Sequence, residues 1–321
     1  MTAKILYLSR ADVESLSLIP SEIEAVVEAA FRSLADGSSQ SVPKLGIDPA
    51  PATFFHAMPA RLDGARTVGV KWVGVADNSA RALPHINAVI LLSDLETATL
   101  RAVMDGDAIT AMRPAAVSMV AARRLARPDS RRIGFIACGL QARRHLDALA
   151  AAFPIREVSC YSRRLETAQA FAREARQHGL AATAVTDPRA AIEGQDIVVT
   201  SVPRSRNIVQ FLDPAWLGPG AFVSATDLAR CWRCADLRRL DILATDDRAQ
   251  SGEQAAAGHL PWAGGYDADL CELVTGAHAG RRNAEERAFF VHPGLGLGDI
   301  AIAALALERA RAQGVGTALP R

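Results

Sequence analysis

Along residues 21–37, SEIEAVVEAAFRSLADG, the apolar positions Ile23, Val26, Val27, Ala30, Phe31 and Leu34 recur at helical spacing. They predict an amphipathic helix entered through Pro20-Ser21 and closed by Gly37. The period then shortens. TFFHAM (53–58), TVGVKWV (67–73) and NAVILLS (87–93) are β-rich runs separated by Pro59, Asp63-Gly64, Asp77-Asn78 and Pro84, the pattern of an antiparallel sheet. After residue 105 an alanine-rich helix is predicted from Asp107 to Ala126, tolerating Pro114 and ended by Pro128-Asp129.

From there strands and helices alternate: RIGFIA, QARRHLDALAAAF, EVSCYS, LETAQAFAREARQHG, a short helix capped by Asp187-Pro188, then DIVVTSV. This βαβαβ order predicts a parallel, doubly wound sheet, to which AFVSAT and ILATDD add short strands. GDIAIAALALERARAQG near the end is a helix with a wide, alanine-rich apolar face suited to close packing, and it is expected to return to the first domain. The fold class is therefore α/β: a Rossmann-type domain over 121–299 and a smaller α+β domain over 1–120, rejoined by 300–321.

At 321 residues the chain has the length of two domains, and half its residues are apolar, enough for packed cores. Lys and Arg total 36 against 35 Asp and Glu, and the Arg pairs are scattered, which argues against nucleic acid or a membrane surface as partner. Neither a signal-peptide run nor a span-length apolar stretch is visible, so a cytoplasmic location is expected. Five cysteines without a regular framework fit a reducing compartment. The CxxC of Cys231 and Cys234 lacks further clustered ligands, so these thiols are read as ordinary buried ones and no metal is expected.

A Rossmann turn needs glycine where the backbone bends and where it approaches a pyrophosphate, with a helix N-terminus behind it. The turn here is Ala137-Cys138-Gly139-Leu140-Gln141-Ala142, with the middle glycine present and the first replaced by alanine. Ala137, Gly139, Leu140 and Gln141 are the expected pyrophosphate-binding positions, with Ser162 and Ser201 at the ends of two further strands. The second strand ends in Ser162-Arg163-Arg164 without a carboxylate for the ribose hydroxyls. Arg163 and Arg164 suit a 2′-phosphate, which favours NADP over NAD.

Residues 93–149, from SDLETATLRAVMDGDAITAMRPAA to FIACGLQARRHLDAL, resemble the most characteristic block of the ornithine cyclodeaminase/mu-crystallin family. Met58-Pro59, Gly69-Val70-Lys71, Gly276 to Arg281 and FVHPGLGLGD (290–299) extend the resemblance over nearly the whole chain. The resemblance implies a homodimer whose smaller domain binds substrate and dimerises, with nicotinamide at the domain cleft and chemistry at the α-carbon of an amino or imino acid. Lys44, Lys71 and Arg113 match the family's substrate-carboxylate ligands, and a buried carboxylate needs such cationic partners to offset its desolvation. Asp227, after AFVSAT, matches the active-site aspartate and is placed to relay a proton to or from the substrate nitrogen.

The departures are as informative. His56 stands where ornithine cyclodeaminases carry a glutamate for the distal ammonium, which counts against ornithine. His85 and Pro114 replace threonines that in relatives touch cofactor phosphates, and His292 replaces a serine. The resemblance places His56 and His292 near the substrate and His85 near the cofactor, and imidazoles there imply an acidic or polar substrate group or a changed proton donor. The leading expectation is an NAD(P)-dependent ketimine reductase or amino-acid dehydrogenase. A cyclodeaminase, releasing ammonia from a diamino acid without net redox change, and a crystallin-like binding protein with little turnover are the alternatives.

Overall fold

The computed structural model describes residues 4–50, 53–203, 208–262 and 264–320. The chain divides into two compact units, one running to Arg113 and resuming at Gly294, the other from Pro114 to Pro293.

The first unit opens with β1 (Ile5–Leu8), α1 (Arg10–Ser15) and α2 (Pro20–Ala35). Pro20 is the first helical residue of α2, and the Glu22 carboxylate accepts the Ile19 N–H before it. The strands β2 (Ser39–Ser41), β3 (Leu45–Ala50), β4 (Thr53–Leu62), β5 (Thr67–Val75), β6 (Ile86–Asp94) and β7 (Leu100–Asp105) follow. Their spatial order is β1-β7-β6-β5-β4-β2, with β3 also on β4; β4, β5 and β6 pair antiparallel as expected, and β1 runs parallel to β7. Register fixes which side chains share a face. Met58 lies opposite Lys71, His56 opposite Val73 and Ala60 opposite Gly69, and this face is buried. On the other face Val68, Trp72, Val89 and Leu91 are exposed.

Helix α3 (Asp107–Leu125) carries Pro114 within it and leads into the second unit. There β8 (Arg132–Ile136), α4 (Leu140–Ala152), β9 (Glu157–Tyr161), α5 (Leu165–Gln177) and β10 (Ala181–Val185) alternate as the pattern predicts. The short helix expected after Asp187-Pro188 is a 3-10 turn at Arg189–Ala191. Then come β11 (Ile197–Thr200), β12 (Phe222–Ala225), β13 (Ile242–Thr245), α6 (Arg248–Ala256), β14 (Ala268–Asp269), α7 (Leu270–Thr275) and β15 (Ala288–Val291). The order β10-β9-β8-β11-β12-β15-β13-β14 is parallel at every described pairing and reverses direction beside β8, the doubly wound arrangement. Gly134 in β8 has no room for a side chain, since a Cβ would enter the Ala191 carbonyl.

The chain returns to the first unit as α8 (Gly296–Gln313) and β16 (Thr317–Leu319), an unforeseen strand antiparallel to β1. Helix α8 is buried nearly all round because it packs on α2 and on the inner face of β4 and β5. The boundaries expected at 120 and 299 fall inside α3 and α8; the units divide at 113/114, also within α3, and at 293/294, just before α8.

Candidate active site

In the first unit the alternation of β5 turns Lys71 inward while Trp72 faces out. Lys71 is 1% exposed, and its Nζ is 2.7 Å from Oδ1 of Asp299, a fully buried residue in the first turn of α8. Arg113 of α3 is buried as well, with Nε 3.6 Å from Oδ2 of the same carboxylate. Two cations therefore meet one anion. Burial pushes the Lys71 ammonium down to about 8; Asp299 opposes that shift and Arg113 adds to it.

Glycines bring the groups together. A Cβ at Gly69 would lie 2.8 Å from Ile300 of α8, and one at Gly296 would enter the Met58 carbonyl. Gly294, at φ +87°, takes a left-handed conformation against the Arg113 guanidinium that a side chain there would invade. His56 shares the inner face of β4 at intermediate burial, its ring 4.6 Å from that of Phe54. Lys44 stands half-buried between β2 and β3. His85 is exposed, and its Nδ1 is 3.1 Å from the Ala76 carbonyl and 3.2 Å from the Asn78 amide, so the ring braces its own turn.

In the second unit the remaining positions collect at the carboxyl ends of parallel strands, where such sheets place ligands. Ala137, after β8, has φ +70°, the left-handed region that a glycine occupies without penalty. Gly139 caps α4 with nothing within 4 Å of where a Cβ would be, and Leu140 and Gln141 begin the helix. The first turn of α4 carries no acidic side chain. Ser201 joins β11 to this turn, its amide donating to Ile136 and its hydroxyl lying 3.4 Å from the Ala137 carbonyl. Ser162 is half-buried, and Arg163 and Arg164 extend into solvent beyond β9.

Asp227, beyond β12, is buried and accepts from Thr200 Oγ1 at 2.9 Å, the Val202 amide at 3.1 Å and Cys231 Sγ at 3.1 Å. Burial raises its carboxyl above the usual range, and the Cys231, Val202 and Thr200 donors counter the shift. Leu228 and Ala229 both take left-handed conformations directly after it, a local strain of the kind found at functional turns. His292, one residue past β15, is buried with Nε2 3.2 Å from Ser118 Oγ.

Sequence reasoning singled out Lys71 and Arg113 but not the carboxylate between them, although Asp299 interrupts the apolar run GLGDIAIAALAL. It also missed the Thr200 and Cys231 donors to Asp227, and Ser118, His145 and Ser224. His145 was legible as a polar residue on the apolar stripe of α4 formed by Ala142, Leu146 and Leu149.

The model of the ornithine cyclodeaminase/mu-crystallin family matches residues 4–314. An alanine dehydrogenase of Archaeoglobus fulgidus is 32% identical over 97% of both chains. A solved archaeal alanine dehydrogenase dimer with bound NAD superposes at a TM-score of 0.89, with 31% identity over 98% of this chain and 99% of that one. The Δ1-pyrroline-2-carboxylate reductase of Thermococcus litoralis, solved with NADH and L-proline, gives a TM-score of 0.86 and 30% identity over 98% of this chain and 99% of that one.

Proposed function

The chain belongs to the ornithine cyclodeaminase/mu-crystallin family, and on that premise we propose that it is an NAD(P)-dependent oxidoreductase acting on the C–N or C=N bond of a small amino or imino acid. The observation that carries this reading is the buried group of Lys71, Arg113 and Asp299. With Lys71 protonated, two positive charges face one negative charge away from water. A monocarboxylate completes the neutralisation that Asp299 leaves half done, and the planar Arg113 guanidinium suits its two oxygens.

The second unit fits a nicotinamide dinucleotide. Open space before Gly139 and the α4 N-terminus suit a pyrophosphate, and the exposed Arg163 and Arg164 suit a 2′-phosphate, favouring NADP. Bound nicotinamide supplies or accepts the hydride. Lys71 and Arg113, with Lys44, hold the substrate carboxylate; Asp227 holds or releases the proton of the substrate nitrogen. The raised Asp227 carboxyl suits a group that must carry a proton nearer neutrality than a surface aspartate. His56, on the inner face with Lys71, and His292, beyond β15, are assigned to the substrate, and His85 to the cofactor.

The exposed apolar face of the first sheet supports a homodimer, the state of the archaeal alanine dehydrogenase structure. The free thiols support a reducing, cytoplasmic setting. Among the described residues no helix is long and apolar enough to cross a membrane.

The test is oxidation of NADPH and NADH by the purified protein, followed by absorbance, against cyclic imines and against α-keto acids with ammonia or methylamine. The expected result is imine-dependent turnover with NADPH that is lost in Lys71→Met and Asp227→Asn. Ammonia release from a diamino acid without net NADPH consumption would overturn the reductase reading in favour of a cyclodeaminase.

A further inference from the structure

We propose that His145, Ser118 and Ser224 form a proton-ordered chain that fixes the tautomer of His292, making Ser118 and His145 positioning residues for that histidine. All four belong to the second unit. His145 Nδ1 lies 2.7 Å from the Gln141 carbonyl, which can only accept, so Nδ1 carries a proton. The neutral ring then offers a lone pair at Nε2, 2.9 Å from Ser118 Oγ, and the hydroxyl donates to it. A hydroxyl has one proton and two lone pairs. Ser118 therefore receives from its other two side-chain neighbours, Ser224 Oγ at 2.7 Å and His292 Nε2 at 3.2 Å.

The Pro114 carbonyl, 2.9 Å from Ser118 Oγ and one turn before it in α3, is a second acceptor for the same proton. Were the hydroxyl to donate there, His145 would need protons on both nitrogens to bond Gln141 and Ser118. That places a cation in a ring with no exposure to water, a costly arrangement. The neutral order is favoured, and it makes His292 the Nε2–H tautomer with Nδ1 as acceptor.

The chain starts in the turn assigned to the dinucleotide and ends one residue past β15, the neighbour of the strand that leads to Asp227. His292 thus presents an acceptor nitrogen at the same sheet edge as the Asp227 carboxylate, an arrangement suited to orienting an N–H of substrate or cofactor. This consequence for turnover rests on the function proposed above; the proton order does not.

Long-range proton–nitrogen correlation spectra of the 15N-labelled full chain at neutral pH read both tautomers, with His145→Asn and His292→Gln assigning the signals. His145 is expected as Nδ1–H and His292 as Nε2–H. A charged or Nε2–H His145, or an Nδ1–H His292, overturns the proposal whether or not any turnover has been found. Ser118→Ala should leave His292 a tautomer mixture and lower kcat by roughly 10- to 100-fold, with the KM for nucleotide unchanged. Ser118→Thr, which keeps the hydroxyl, should restore both. An unaltered His292 tautomer in Ser118→Ala overturns the proposal, and if that variant does not fold, the wild-type spectrum decides alone.

Discussion

Burial works to strip Lys71 of its proton, and Asp299 works to keep it. Because the ammonium sits at about 8 rather than 10.5, the cation proposed to hold a substrate carboxylate disappears just above neutrality. kcat/KM should fall as pH rises through about 8, mainly through KM, and a profile level across that range would remove Lys71 from carboxylate binding. Stability moves the other way. Between about 8 and 10.5 the unfolded chain binds the Lys71 proton and the folded chain does not, so this residue's contribution improves as pH rises, readable in urea melts. Asp299→Asn leaves two buried cations without their anion. It should cost about 3–5 kcal/mol of stability and move the activity limb to lower pH. At Ala137 the left-handed backbone costs an alanine more than a glycine, so Ala137→Gly should stabilise by ~0.5–1 kcal/mol in the same melts.

At the scale of elements, the position of Asp299 depends on how closely α8 lies on the sheet. Gly69 and Gly296 make that contact without side chains. Gly296→Val should push the first turn of α8 off β4, costing roughly 1–3 kcal/mol and weakening substrate binding without affecting nucleotide affinity. Fluorescence titration with NADPH and steady-state KM values separate the two effects. The alternation of periods along the chain exposed the doubly wound sheet because its inner strands β8, β11, β12, β13 and β15 are buried on both faces and the helices α4 and α5 on one. Lys71 and Arg113 were legible as charges inside apolar patterns. Asp299 was not assigned, since its partners lie far away in sequence and a helix pattern gives no pairing. The CxxC spacing gave no partner for the Cys231 thiol, whereas the left-handed turn at Leu228 and Ala229 folds the chain back and delivers it to the Asp227 carboxylate. The edge strand β16, short and wholly exposed, leaves no hydrophobic alternation to read.

At the scale of the molecule, the outer face of the first sheet is the feature that an isolated subunit does not explain. An antiparallel sheet with one face to water ordinarily alternates apolar in and polar out. Here the register aligns Leu45 and Ile47 of β3, Phe55 of β4, Trp72 of β5 and Val89 and Leu91 of β6 on the outward side, with Phe55 and Trp72 stacked at 5.6 Å. Trp72 is 44% exposed and Leu45 68%, a contiguous apolar surface of the kind that marks a protein interface. In the proposed homodimer a second copy of the chain supplies a matching surface, since a two-fold contact is made by the same patch on both partners. The pair Trp72→Glu and Leu91→Glu should convert the protein to a monomer in sedimentation velocity. A dimer that persists in that variant assigns the interface elsewhere. Because association stabilises by mass action, the wild-type Tm should rise with protein concentration and that of the double variant should not. Lys71 and Trp72 are adjacent on β5, one facing α8 and the other the proposed dimer face, so loss of the dimer should also loosen the strand that carries Lys71. The monomer is therefore expected to show a raised KM for substrate, even though neither substituted side chain touches Lys71, Arg113 or Asp299 from the inner face.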